Sequence, residues 1–289
     1  MMSHYKGKRI SKKTRRRTSI RTFLLVIFLL GLIIGAYKSF RIIYANAAAR
    51  KAYSELRLST AAPPAPLIKI EDENRTDNNA DADIDGTDIV EAENQTPRSA
   101  LDFSALKETN PEIAGWLKAE GIGIDYPVMH TDNNEYYLTH LYDGTPNANG
   151  ALFIDFSNTE GFKDDNTVIY GHNMRSGAMF NVLNEYKSQD FYDAWPTMTL
   201  YTPEGDYLIE LICGTIEDGD YAFVEFNFDD EDDFCSYIES RRSRSTFQSN
   251  VEIGPEDRII SLCTCSYEWN NARYMIMGKL TPIMEDPTR

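Results

Sequence analysis

The chain has 289 residues, a formal charge of −16 and four cysteines, too few for a disulfide scaffold of this size. Its charge is unevenly spread: residues 1–22 hold nine basic side chains and no acid, whereas residues 58–289 hold 15 basic and 44 acidic ones. A body this acidic argues against nucleic acid and against an anionic lipid surface as partners.

Residues 1–22 are read as a basic cytoplasmic tail. The run FLLVIFLLGLIIGAY follows at residues 23–37 without a charge. As a helix it rises about 22 Å, short of a hydrocarbon core of ~30 Å. The next residues, KSFRIIY, extend the span to residue 44 if Lys38 and Arg41 snorkel. A cleaved signal peptide has the same basic-then-apolar grammar. The small residues Ala45, Ala47, Ala48 and Ala49, however, lie beyond two further basic side chains. Residues 23–44 are therefore read as a single transmembrane anchor, with the N-terminus cytoplasmic and the bulk of the chain outside the cell.

Residues 45–100 are expected to form an extracellular stalk, largely disordered from residue 60. From Thr60 to Ala100 the composition is acidic, rich in Asn, Asp, Ala and Pro, and free of aromatic residues. Such a stretch buries too little apolar surface to offset its ordering entropy.

A folded domain is expected over residues 101–289. In DFSALKETNPEIAGWLKAEG, Phe103, Leu106, Ile113, Trp116 and Leu117 recur near helical spacing, and Pro111 suits a helix start. Strand candidates follow: IGIDYPVM, GALFIDF, NTVIYGH, MTLYTP, DYLIELICGTI, DRIISLCTCSY and ARYMIMGKLTPI, bounded by Gly, Asn, Asp and Pro. Seven or eight short strands predict a mainly β domain, a barrel or sandwich with helical insertions. Residues 229–245 read as one such helix, acids first and bases last, with Phe234, Tyr237 and Ile238 on one stripe.

The cysteines bear most on chemistry. Cys263 and Cys265, in SLCTCSYEWNNAR, share one face of a strand, and a two-residue separation is poor geometry for bonding them to each other. No Cys/His cluster has zinc-ligand spacing, so neither a metal nor a cofactor is expected. Packing as a small hydrophobe is the default for Cys213, Cys235 and Cys263. Cys265 ends a hydrophobic run, and Arg273 opens the next strand, which returns a guanidinium toward the sulfur. A nucleophilic cysteine needs such a setting and a proton donor for its leaving group. His172, at a strand end in VIYGHNM, is the best donor; His130 and His140 flank a polar loop.

These residues resemble the sortases, specifically class B. TVIYGH, Leu262-Cys-Thr-Cys265 and Arg273 stand in the family's order, and NPEIAGWLKAEGIGIDYPVMHTDNNEYYL is similar to the class B N-terminal helix and first strands. The likeness runs from about residue 110 to 280. It implies an eight-stranded β-barrel with an N-terminal helix and a long inserted helix before the strand of the cysteine, a slot that residues 229–245 fit. It also implies a membrane-anchored cysteine transpeptidase at a Gram-positive cell surface, with residues 101–289 as the catalytic domain. Its partners would be secreted proteins bearing a C-terminal LPxTG- or NPxTN-like sorting motif. The acceptor would be an amine of a cell-wall precursor or a pilin lysine.

By position, Cys265 would be the nucleophile, His172 the proton carrier and Arg273 the holder of substrate carbonyls and oxyanion. Asn134, Leu138, Tyr221, Thr264 and Ser266 would line the substrate groove, although packing or solvation also accounts for each. Cys263 departs from the family pattern by filling a variable slot that is often serine. Two other functions are weighed: a hydrolytic thiol protease, which lacks a CGSCW-like element here, and a non-catalytic surface receptor or adhesin, which has no need of all three residues.

Overall fold

A computed structural model describes residues 12–60, 99, 101–159, 161–219 and 223–283, with side chains from residue 21 onward. Residues 61–98, the bulk of the expected stalk, lie outside the described residues. The chain divides into two compact units, Met1–Arg50 and Lys51–Arg289.

Helix α1 runs Lys12–Thr60. Within it, Arg21–Ser59 is long and apolar enough to cross a membrane by length and composition, and its most apolar stretch is unburied. Phe23, Leu25, Phe28 and Ile33 are among its exposed side chains.

The second unit begins before the expected domain start at residue 101. Tyr53 and Leu56 are buried. The Tyr53 ring meets Tyr126 edge-on at 5.0 Å, and its hydroxyl donates to the Gly150 carbonyl at 2.9 Å. Arg57 pairs with Asp125 at 3.0 Å. Residues 51–60 thus pack as part of the globular unit rather than as free stalk. The aromatic residue that does this is too isolated in sequence to announce itself.

Helix α2 spans Phe103–Thr109, with Asp102 capping the Ser104 and Ala105 amides. It ends at Asn110, which is extended, because a following proline disfavours the helical conformation. Pro111 therefore closes a helix instead of opening one, which corrects the sequence expectation. Strand β1, Ile113–Ala119, follows. A register shift between Ile113 and Gly115 marks a bulge against β2, Ile124–Met129. The bulge breaks the two-residue alternation and brings Ile113 and Trp116 to one face; Leu117, on the other face, is buried too, and the three together mimic a helical stripe.

The remaining strands are β3 (Leu152–Ile154), β4 (Asn166–Tyr170), β5 (Thr197–Thr202), β6 (Gly205–Asp218), β7 (Ile259–Cys265) and β8 (Ala272–Pro282). Together the eight close a barrel in the order β1-β2-β3-β4-β7-β8-β6-β5. Closure removes the open edges that would otherwise invite strand addition. Two pairings are parallel, β2 with β3 and β4 with β7, and the second sets up the site.

Helix α3, Gln189–Ala194, lies between β4 and β5. Helix α4, Glu231–Arg242, is the predicted insertion, slightly shorter than read. Asp230 caps it, acids fill its first turn, and Arg241 and Arg242 occupy its last, in accord with the helix dipole. Phe234, Tyr237 and Ile238 pack with Ile212, Cys213, Ile259, Met275 and Met277 from the barrel.

Because Tyr53 and Leu56 are buried within the second unit, a protein beginning at Lys51 should be more stable than one beginning at Leu101. Burial of large side chains at roughly 1.5–3 kcal/mol each predicts a difference of about 3–6 kcal/mol, read from urea unfolding of the two proteins.

Candidate active site

The site stands on the register of β7. Parallel pairing sets Tyr170 of β4 opposite Cys263, and antiparallel pairing sets Arg273 of β8 opposite Cys265. Beyond β4 the ladder continues for one bond, Gly171 amide to Cys263 carbonyl at 3.1 Å. His172 leaves the barrel there, at the end where β7 finishes and β8 begins.

Glycine precedes His172 for a steric reason. A Cβ at Gly171 would come within 2.5 Å of Leu152 and 2.7 Å of the Phe180 ring, closer than packed side chains tolerate. The Thr264 hydroxyl donates to the Gly171 carbonyl at 2.7 Å. Asn173 donates to the Cys265 carbonyl at 2.8 Å and receives a bond from Asn181 at 2.6 Å. The chain bearing the imidazole and the chain bearing the thiol are thereby sewn together at two points.

Cys265, His172 and Arg273 line one cleft of about 350 Å³. Asn134, Leu138 and Thr264 line it too, and so do Cys263, read from the sequence as a packing residue, and Phe153 and Tyr170, which sequence reasoning did not single out. Tyr170 lay inside the quoted motif TVIYGH, but nothing in the pattern separates a wall residue from a core one. Ser266 is placed elsewhere: it is buried just after β7, bonded to Lys187 Nζ at 2.7 Å and to the Glu268 carboxylate. Tyr221 lies outside the described residues.

His172 Nε2 sits 2.8 Å from the Leu138 carbonyl oxygen, at the end of the 3₁₀ turn Tyr136–Leu138. A carbonyl only accepts, so Nε2 carries a proton. Nδ1 is then the ring nitrogen available for proton exchange. Arg273 donates through Nη1 to the carbonyls of Asn271 and Ala272, both at 3.2 Å, which orients its planar group at the hairpin base.

The two cleft cysteines are not equivalent. Burial pushes the Cys263 thiol up to about 12, although the Arg273 charge acts in the opposite direction. At neutral pH it is an inert thiol. Cys265 is half-buried at the strand end. Cys213 is fully buried and likewise pushed up to about 12 by burial, while Cys235 is exposed on α4. All four are free.

Behind the cleft, Lys187 bonds to Ser266, to Asn184 at 2.8 Å and to Glu268 at 2.6 Å. Burial works against ionisation of Glu268, yet the bonds from Lys187 and Ser266 prevail and hold its carboxyl down at about 2. The cluster braces the β7–β8 loop, whose Tyr267 and Trp269 are exposed.

The barrel is of the sortase type, and residues 117–195 match the family described as "Sortase domain". Sortase B of Listeria monocytogenes is 37% identical over 177 residues, covering 61% of this chain and 72% of that protein. The X-ray structure of Clostridium perfringens sortase B superposes with a TM-score of 0.59 at 31% identity, covering 62% of this chain and all of that one. The Staphylococcus aureus sortase B–substrate complex superposes with a TM-score of 0.60 at 26% identity, covering 63% of this chain and 85% of that one. This chain belongs to the sortase B family and is a cysteine transpeptidase.

The contrast in burial predicts which thiols react. Brief iodoacetamide treatment of the native protein at pH 7 should alkylate Cys265 and Cys235 and spare Cys263 and Cys213, as read by peptide mass spectrometry. Alkylation of Cys263 ahead of Cys265 would reverse the assignment of the accessible thiol.

Proposed function

We propose that this sortase cleaves a C-terminal sorting motif of the LPxTG or NPxTN kind after its threonine, with Cys265 as nucleophile. The observation that carries this is the single cleft shared by the Cys265 thiol, the His172 imidazole and the Arg273 guanidinium. The substrate complex of the S. aureus relative, and a sortase B structure complexed with triglycine, support a peptide donor and an amine acceptor.

In this reading the Cys265 thiolate adds to the threonine carbonyl carbon. Arg273 stabilises the resulting oxyanion with N–H donors not engaged by the hairpin carbonyls, a task for which its planar fork suits it better than a lysine would. Collapse breaks the peptide bond, and His172 delivers a proton from Nδ1 to the departing amine. A thioester of Cys265 and the threonine remains. The incoming amine, from a cell-wall precursor or a pilin lysine, attacks that thioester, gives its proton to His172 and restores the thiolate. Atoms and charge balance over the cycle with no cofactor. Asn134 and Leu138, at the mouth of the cleft, would hold the motif; Thr264 would fix the loop of His172 through its bond to Gly171.

The apolar, unburied stretch within α1 supports a single-pass anchor over residues 23–44, with the basic residues 1–22 on the cytoplasmic side and the barrel on the outer face of the cell. Deleting residues 1–44 should move the protein from the membrane fraction to the soluble one; retention in the membrane would remove the anchor.

Turnover of LPxTG- and NPxTN-core peptides with added amines, followed by mass spectrometry, tests the reaction itself. The parent should give an amide product, and cleavage to free acid alone would mark a hydrolase. Cys265→Ala should give no product. Arg273→Lys should lower kcat/KM by about 100-fold, the scale of losing one oxyanion donor.

A further inference from the structure

Asp155 is the residue after β3, and its amide extends the barrel ladder to the Val168 carbonyl at 2.9 Å. It is 5% exposed and pairs with no cation among its described contacts. Three donors converge on its carboxylate. Oδ1 accepts the Ser157 amide at 2.9 Å, while Oδ2 accepts Asn134 Nδ2 at 3.0 Å and the Tyr170 hydroxyl at 3.0 Å. Donors without acceptors are the partner set an ionised carboxylate calls for.

Two of those donors belong to the cleft wall. Asn134 comes from the loop after β2, Tyr170 from the end of β4, and Asp155 joins them from beneath. Asn134 is clamped twice, because its Oδ1 accepts the Phe156 amide at 3.0 Å. Carboxylate on one side and N–H on the other fix which end of the amide is which. One Nδ2 hydrogen and one Oδ1 lone pair remain for a ligand, in an orientation set by residues 155 and 156.

We propose that Asp155 is a positioning residue of the substrate cleft, holding Asn134 and Tyr170 in the arrangement that a bound sorting-motif peptide meets. Its role follows from the functional reading above and adds a specificity element to it. Asparagine at 155 cannot replace the carboxylate. Its single oxygen can face the Ser157 amide or the Asn134–Tyr170 pair but not both, and its NH₂ group then opposes a donor. Unpaired polar groups in a buried setting are costly, so the wall would loosen while β3, β4 and β7 keep their ladders.

The test is steady-state cleavage of fluorogenic LPxTG- and NPxTN-core peptides by the full chain. Asp155→Asn should raise KM by about tenfold, the effect of losing one good hydrogen bond, with kcat within about threefold of the parent. The iodoacetamide rate of Cys265 should not change. Introduced into an Asn134→Ala, Tyr170→Phe background, Asp155→Asn should add less than about twofold in KM, because its effect runs through those two side chains. If Asp155→Asn does not fold, Asp155→Ser, with less bulk, serves in the same comparison.

An unchanged KM would overturn the proposal, as would a KM effect that multiplies in full in the double-variant background. A fall in kcat together with slower alkylation would also overturn it, since that pattern marks general structural damage. A parent that cleaves neither peptide would overturn the functional reading, and this inference with it; an active parent with an indifferent Asp155→Asn would overturn this inference alone.

Discussion

One backbone register governs this molecule. β7 lies between β4, parallel to it, and β8, antiparallel to it. Parallel neighbours finish at the same end of a sheet, and an antiparallel one begins there. Cys265 at the end of β7, His172 just past the end of β4 and Arg273 at the start of β8 therefore emerge together. Their loops need not search for one another. A slip of one residue in either pairing would turn these side chains to opposite faces. β7 is buried on both faces through Thr264, so a slip would force side chains fitted to one packed face into the other. At Gly278 of β8 a Cβ would come within 2.4 Å of Ile209, so the neighbouring strands also close tightly around this register.

The same register explains why two cysteines in one cleft carry different chemistry. Cys263 sits opposite Tyr170, inside the ladder, where desolvation outweighs the Arg273 charge. Cys265 is two residues further on, where the strand ends and the surface begins. A sulfur becomes a usable nucleophile when its thiolate is not heavily penalised by burial. Two residues along one strand, about 7 Å, separate the packed thiol from the accessible one. Chain position within the barrel, more than local sequence, sets reactivity here.

Most of this was legible in the sequence because strands ending in chemically rare side chains leave a strong trace. The runs at β2 through β8 were readable from apolar patterning and turn residues, and the stripe of α4 from its spacing. Where reading failed, a physical reason can be named. In β1 a bulge and burial of both faces leave Ile113, Trp116 and Leu117 at a spacing that mimics a helix, and Pro111 follows a helix where it was expected to begin one. Ser266 neighbours Cys265 in sequence, but the turn after β7 points it toward Lys187. Tyr53 joins the globular unit through contacts some 70 to 100 positions away, a separation at which no local pattern operates.

The loops around the cleft follow a further rule. Each is held by a polar anchor rather than by apolar packing alone: Asn134 on Asp155, the His172 segment on Thr264 and Cys265, and the β7–β8 loop on Lys187. A hydrogen bond fixes direction as well as distance, so these anchors orient the wall while leaving outward groups such as Leu138, Tyr267 and Trp269 exposed. The division of labour follows from that geometry. The strands hold Cys265, His172 and Arg273 in register, and the anchored loops form the rim of the cleft they share. Substitution at an exposed loop tip can then alter the rim without disturbing the relation of thiol, imidazole and guanidinium. Substitution at an anchor acts on the rim through side chains that never themselves change.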